Sequence, residues 1–458
     1  LLLCKGFIYL KTFLTTFMRQ HLCAIFTGFA LLFCTQALWA QFSVEGQLMQ
    51  RAEFRNGYGK LIAKNQDPAF FIGQRLRLQA AYKLKKATLY AAAQDIRTWG
   101  NTPQLKTTDG FFSIYEAWAE VEIDSFWHLK TGRQELNYDN FRFLGNVDWA
   151  LQGRTHDFAL LKYEKNNLKL HLGGGYNQDG EKLAGNILTV ANQYKTAQML
   201  RYENAFGNFD FSVLFWNDGR QFTMTDSLNQ ITRKGVYFMQ TFGISALKYR
   251  WGKVFTFSGF YYQQTGKNAA GKKVNAFDAC LQVSGLFELN PVKSRKLRST
   301  LGAEVLSGTA TNYTSGANYS YTPLYGTNHA HNGCMDLFYV SGRHENSAGI
   351  ADVFLRLRFD FNAKGFITLN THGFSAVAAV VNNNGQRLPK FLTAETDFVF
   401  GYLFNETLSV QSGYSQLFPA AALETLQQVS NPKTIQNWCY LMLLYRPKMK
   451  NRFVGVLH

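Results

Sequence analysis

The segment ADVFLRLRFDF, residues 351–361, is two patterns interleaved. Ala351, Val353, Leu355, Leu357, Phe359 and Phe361 hold one set of alternate positions, and Asp352, Phe354, Arg356, Arg358 and Asp360 hold the other. Successive side chains of a β-strand point to opposite faces, so this reads as a strand with one wholly apolar face and one charged face. An arginine facing lipid at mid-membrane costs about 2–4 kcal/mol. If the apolar face meets lipid, Arg356 and Arg358 face a lumen.

The same division recurs in residues 115–123, with Tyr115, Ala117, Ala119, Val121 and Ile123 against Glu116, Trp118, Glu120 and Glu122. In residues 72–84 it puts Ile72, Leu76, Leu78, Tyr82 and Leu84 outside and Arg75 and Arg77 inside. Short alternating runs continue from Gln41 to Tyr445. Tight connections rich in Asn, Gly and Lys, at 85–86, 165–167, 206–208, 251–253, 362–365 and 405–406, are hairpin chemistry. Between them fall longer ones near 100–111, 135–156, 177–196, 218–238, 265–274, 307–347, 375–393 and 416–436. Short turns alternating with long loops describe an all-β chain. The expected fold is a transmembrane antiparallel up-and-down β-barrel of about 18 strands, with turns and both barrel ends on the periplasmic side.

Composition agrees. Of 458 residues, 16% are aromatic and 17% charged, and mean hydropathy is −0.19, which excludes a bundle of membrane helices. Aromatics gather at strand ends, as at Phe257, Tyr261 and Tyr262 or Phe398, Phe400, Tyr402 and Phe404. A soluble β-sandwich would alternate too, but would not need these girdles. Residues 18–40 read as a secretory signal peptide, with a basic start, an apolar centre and Ala37-Leu38-Trp39-Ala40 before the expected cleavage ahead of Gln41. Residues 1–17 read as an over-extended start, 41–446 as the barrel and 447–458 as a short tail. That tail departs from an ending at an aromatic residue and is expected to be a periplasmic extension.

The net charge is +17, and the expected leader accounts for three of the positive charges, Lys5, Lys11 and Arg19. Such an excess attracts polyanions, though scattered loop lysines account for part of it. Cys280, Cys334 and Cys439 show neither disulfide nor zinc spacing, so no metal and no cofactor are expected. No enzyme is indicated. His128, His156 and His171 lack an accompanying nucleophile motif, and Gly173-Gly174-Gly175 lacks a following helix and reads as a strand end.

One stretch breaks the pattern: GRQELNYDNFRFLGNVDWALQGRTHD, residues 132–157. A long segment without apolar periodicity is often functional. Gly132-Arg133-Gln134, Tyr138-Asp139, Arg142, Leu144-Gly145, Trp149 and the GRTHDF beginning at Gly153 resemble the signature region of the alginate export porin family. A second patch, Ser307-Gly308-Thr309, LYGTNH at 324–329 and GCMD at 333–336, resembles loop text of members from Bacteroidetes-like bacteria. The resemblance implies a monomeric 18-stranded outer-membrane porin secreting an anionic, alginate-like polysaccharide through an electropositive constriction, with periplasmic export machinery as a partner. It also implies luminal arginines held by aspartates, which carries over to Arg133, Asp139, Arg142, Arg154 and Asp157.

Alternation, independently of the family, adds Arg75, Arg77, Arg356 and Arg358, with Asp352 and Asp360 as acidic partners. Residues 132–157 are expected to fold inward as a filter. The expected partners are an anionic polysaccharide or acidic sugar, with outer-membrane lipid and lipopolysaccharide around the barrel and no nucleic acid. Two other functions fit the same fold: a diffusion channel for small anions or oligosaccharides, and a surface adhesin on a plugged barrel acting through residues 307–348. For any single arginine, bracing of the barrel wall competes with a role in selectivity, and Trp118 and Phe354 offer stacking surface to sugar rings.

Overall fold

The computed structural model describes residues 41–105, 110–314, 316–338, 347–447 and 453–455. The expected leader lies outside them, as do parts of the 100–111 and 307–347 connections. Among the described residues, eighteen strands follow in order. They are β1 (Gln41–Asn56), β2 (Ala69–Lys83), β3 (Ala87–Thr98), β4 (Phe112–Glu122), β5 (Trp127–Gln134) and β6 (His156–Lys165). Then come β7 (Leu168–Tyr176), β8 (Thr196–Phe206), β9 (Phe209–Thr225), β10 (Ile231–Trp251), β11 (Phe255–Lys267) and β12 (Lys273–Asn290). Last are β13 (Arg295–Leu306), β14 (Ile350–Asn362), β15 (Gly365–Ser375), β16 (Phe391–Leu403), β17 (Leu408–Pro419) and β18 (Gln436–Tyr445). Each pairs antiparallel with the next, and β18 returns to β1 from Leu48↔Tyr445 to Asn56↔Asn437. The sheet is a closed barrel without an edge.

Strand parity is as read for β14 and β2. Val353 and Leu355 are exposed on the outside, whereas Asp352, Phe354, Arg75 and Arg77 are buried within. In β4 one residue departs. Ala92 pairs with Glu116 but Ala93 with Ile114, a β-bulge that leaves Tyr115 unpaired. The bulge turns Tyr115 inward, where it is 4% exposed and lies under the Arg77 guanidinium, 3.5 Å from the ring centroid.

Two connections also differ from expectation. Residues 218–238 are not a loop: β9 and β10 run 17 and 21 residues and meet at a tight turn, 226–230, where Asp226 accepts hydrogen bonds from the Leu228 and Gln230 backbone N–H groups. Their polar residues alternate as in any strand. Conversely, residues 57–68 between β1 and β2 form a connection that the pattern of turns did not reveal. Gly173 to Gly175 lie at the end of β7, just before its last residue Tyr176, and Phe158 of β6 fills the space where side chains of Gly173 and Gly175 would be.

The outer surface carries exposed Leu76, Leu78, Leu129, Leu172, Leu301 and Leu355 between two aromatic belts. Phe42, Phe206, Trp251, Phe255, Phe404 and Tyr445 lie near the short turns, and Phe70, Phe112, Phe391 and Phe418 near the opposite rim. Above the apolar band, outward amides of Gln198, Asn217 and Gln240 bond in series across β8, β9 and β10 at 2.6 and 2.8 Å. That row marks where hydrocarbon gives way to polar headgroups.

Because parity assigns Leu355 to lipid, Leu355→Arg is expected to destabilise the barrel by about 2–4 kcal/mol. The luminal neighbour Arg356→Lys is expected to leave stability nearly unchanged. Urea titrations of folding into lipid vesicles compare the two.

Candidate functional site

Two long connections turn into the barrel and meet. In residues 135–155, Asp139, Phe141 and Val147 take φ of 54°, 62° and 53°, a left-handed conformation that neither strand nor helix repeats. This explains why the stretch shows no periodicity. It pairs with residues 316–338: the Gly145 N–H donates to the Tyr325 carbonyl at 2.9 Å and the Thr327 N–H to the Phe141 carbonyl at 2.8 Å. Arg154 adds Nη1 to the Gly326 carbonyl at 2.8 Å. The two patches that carry the family resemblance are therefore one assembly in the lumen.

Apolar side chains pack that assembly against both walls. Phe143 lies against Tyr262 and Trp216, and Trp149 stacks on His329 at 4.3 Å and meets Trp438 and Tyr440 edge-on. Phe143, Trp149, Tyr321, Tyr325 and Met335 are all buried. Together the two segments form a plug.

Charged groups hold it at three points. Asp148 accepts from Arg75 Nη2 at 2.8 Å and from Arg446 Nη2 at 2.9 Å, while Arg75 Nη1 also donates to the Leu151 carbonyl at 3.2 Å. Burial would raise the Asp148 pKa, but Arg75, Arg446 and Arg77 hold it well below the usual carboxylate range. Asp139 accepts from Arg201 and from Ser212, each at 2.7 Å. Arg142 is fully buried, its Nε 3.0 Å from Asp278 and 2.8 Å from Glu304 on the wall, its Nη2 donating to Asn332 at 2.8 Å. Burial opposes its charge, but Glu304 and Asp278 raise its pKa above the ordinary arginine value.

The expected filter is thus divided among three places. Arg75, Arg77, Arg142 and Arg154 are inside the barrel but engaged with the plug. Arg77 donates to Gln94 at 2.7 Å, and burial lowers the Arg154 pKa to about 10. Arg133 and Asp157 are not luminal. They pair across β5 and β6 at 2.8 Å on the outer face, each about half exposed, because Gln134, His156 and Phe158 take the inward positions of those strands. Arg356 and Arg358 face open space.

That space is a chamber of about 490 Å³ on the wall of β10 to β16, with the plug residues His329, His331 and Cys334 also lining it. Arg356 lies 4.0 Å over the Phe354 ring and donates to the His331 carbonyl at 3.0 Å. Arg358 pairs with Asp360 at 2.9 Å, and Asp352 faces His372 at 3.0 Å. Arg298, directly opposite Arg358 in register, also lines the chamber, and its guanidinium enters no ion pair or hydrogen bond among the described residues. The sequence reading missed it. The alternation of Lys296, Arg298, Thr300 and Glu304 against Leu297, Ser299, Leu301 and Val305 in β13 carries the signal.

Of the expected tail, residues 447 and 453–455 are described. Val454 is buried against Gln411, which accepts from its N–H at 3.1 Å and donates to its carbonyl at 2.8 Å, and Phe453 meets Phe366 edge-on at 4.9 Å.

No family model matches the sequence, and no curated protein does. Solved structures match over most of the chain. The outer membrane protein OpdK of Pseudomonas aeruginosa superposes with a TM-score of 0.53 at 12% identity, covering 88% of this chain and 98% of that one. OccK9 (OpdG) of the same organism gives 0.55 at 14%, covering 88% and 98%. A BenF-like porin of Pseudomonas fluorescens Pf-5 gives 0.52 at 12%, covering 89% and 99%. The chain has the outer-membrane porin fold. A closed barrel with this lipid-facing belt is a protein of the Gram-negative outer membrane. The comparisons do not extend to membership of the alginate export family.

Removing one member of a buried ion pair costs about 3–5 kcal/mol. Arg142→Ala is therefore expected to loosen the plug while the barrel stays folded. Faster protease cleavage within residues 135–155, with unchanged heat-modifiable gel mobility, is the expected outcome.

His331 supplies a pH dependence. Burial, with Arg142 and Arg356 beside it, pushes its pKa well below 6.5 when the plug is docked. Above pH ~6.5 docked and undocked forms are both neutral. Below it only the undocked form takes up the proton, so docking weakens by up to about 1.4 kcal/mol per pH unit. Current noise in planar bilayers is expected to rise between pH 6.5 and 5, and His331→Asn to flatten that rise.

Proposed function

We propose that the protein is a porin that passes small anionic solutes, acidic sugars among them, across the outer membrane. The observation that carries this reading is the group of arginines, Arg298, Arg356 and Arg358, lining the 490 Å³ chamber. A guanidinium stays charged at all physiological pH and its planar fork matches a carboxylate. Charged side chains along a pore set the sign of what passes, and neighbouring sites of similar strength allow transfer from one to the next. The volume suits one or two sugar rings, within the usual 300–1,000 Å³ or so of small-ligand sites.

A threaded polyuronate fits less well. Secretion of a polymer, as the resemblance implies, requires residues 135–155 and 316–338 to leave the lumen, against the ion pairs of Asp148, Asp139 and Arg142. One solved structure with the same fold is that of OpdK with vanillate, a small carboxylate, which supports the small-solute reading.

Reversal potentials in a KCl gradient across planar bilayers test it. The wild type is expected to prefer chloride, and Arg298→Ala combined with Arg356→Ala to reduce the chloride-to-potassium permeability ratio at least threefold. Arg133→Ala, on the outer face, is expected to change nothing. A wild-type pore without anion preference would refute the reading.

A further inference from the structure

The chamber holds a negative charge as well as positive ones. Register places Arg356, Asn370 and Asp397 side by side on β14, β15 and β16, all at inward positions. Adjacent strands lie about 4.8 Å apart, so the Arg356 and Asp397 backbones are roughly 10 Å apart, with Asn370 between them. Asp397 lines the chamber, is 1% exposed, and enters no ion pair among the described residues. The groups interacting with it are the Glu395 carboxyl and the Cys334 thiol, neither of which supplies a positive charge. Glu395 accepts from the Met335 N–H at 2.8 Å through one oxygen.

Glu395 and Asp397 stand two residues apart on the inward face of β16 and bring acidic charge to that wall. No arginine or lysine neutralises that charge within the described residues, although Arg356 stands two strands away. A simple anion held at Arg298 and Arg356 gains nothing from Asp397. A ligand with a carboxylate at one end and a cation at the other satisfies both.

We propose that the chamber is a two-headed site for small zwitterions. The carboxylate is held by Arg298 and Arg356, and an ammonium group, several bonds away, is held by Asp397. The spacing favours an ω-amino acid or a dipeptide over an α-amino acid, whose two charges sit on neighbouring atoms. The proposal deepens the anion-channel reading and rests on the same chamber, adding a second selecting group.

Equilibrium dialysis of the detergent-solubilised full chain against labelled 4-aminobutyrate or labelled butyrate tests it without requiring current. The wild type is expected to bind 4-aminobutyrate at least fivefold more tightly than butyrate. Asp397→Asn is expected to abolish that difference and leave butyrate binding unchanged or tighter, and Arg298→Gln with Arg356→Gln to weaken both ligands. Equal wild-type affinities, or a preference that persists in Asp397→Asn, would overturn the proposal. If the Asp397→Asn chain does not fold, the wild-type ratio alone decides. Zwitterion binding without conductance would sink the channel reading and leave this site standing.

Discussion

Hydrocarbon offers no partner to a peptide N–H or C=O, and every other feature of this protein follows from that. The pairing of β18 with β1 removes the last open edge, and once the sheet is closed each strand position has only two environments, lipid or lumen. Leu355 and Arg356 are neighbours in the chain and are separated by the thickness of the wall. The interior then becomes a place where charge is tolerated. Buried arginines and carboxylates can pair there at distances near 2.8 Å, and the inward loops use those pairs to hold themselves in a space that strands alone would leave hollow.

The division of labour among the arginines comes from who reaches them first. Arg75 and Arg142 meet Asp148 and Glu304 and are spent on holding the plug. Arg298 stands opposite another arginine, Arg358, and forms no ion pair or hydrogen bond among the described residues. Residues of the same type, on the same inner surface, thus act as fasteners in some places and as lining in others. The +17 net charge says nothing about this division, because it counts both kinds alike.

Parity was legible wherever a strand ran without interruption, which is why residues 351–361 assigned their faces from the letters alone. It failed at Tyr115, where one extra residue in β4 reverses the count and no local residue type announces it. At the ends of β5 and β6 the aperiodic text between the strands hides it, yet Arg133 and Asp157 belong to those strands and point outward. Arg298 was readable by the same rule that found Arg356. The meeting of residues 135–155 with 316–338 was not readable, because left-handed backbone at Asp139, Phe141 and Val147 sets the path of the chain and those residues have no sequence period. Asp397 was hidden for a different reason: on paper it is one acidic residue in an alternating strand, and only its place on the chamber wall without an ion pair among the described residues distinguishes it.

Asp148 joins Arg75, in the second strand, to Arg446, the residue just after the last. Beside it, the Trp149 carbonyl accepts from Arg51 of β1 at 2.7 Å, and the Trp149 ring rests on Trp438 and Tyr440 of β18. All of these contacts straddle the seam where the first and last strands meet. The socket for Trp149 and Asp148 does not exist until the chain's two ends have found each other, so assembly has a built-in order. Closure of the cylinder comes first and docking of the plug second, and a docked plug is in turn a clasp across the one joint that the chain cannot form between sequence neighbours.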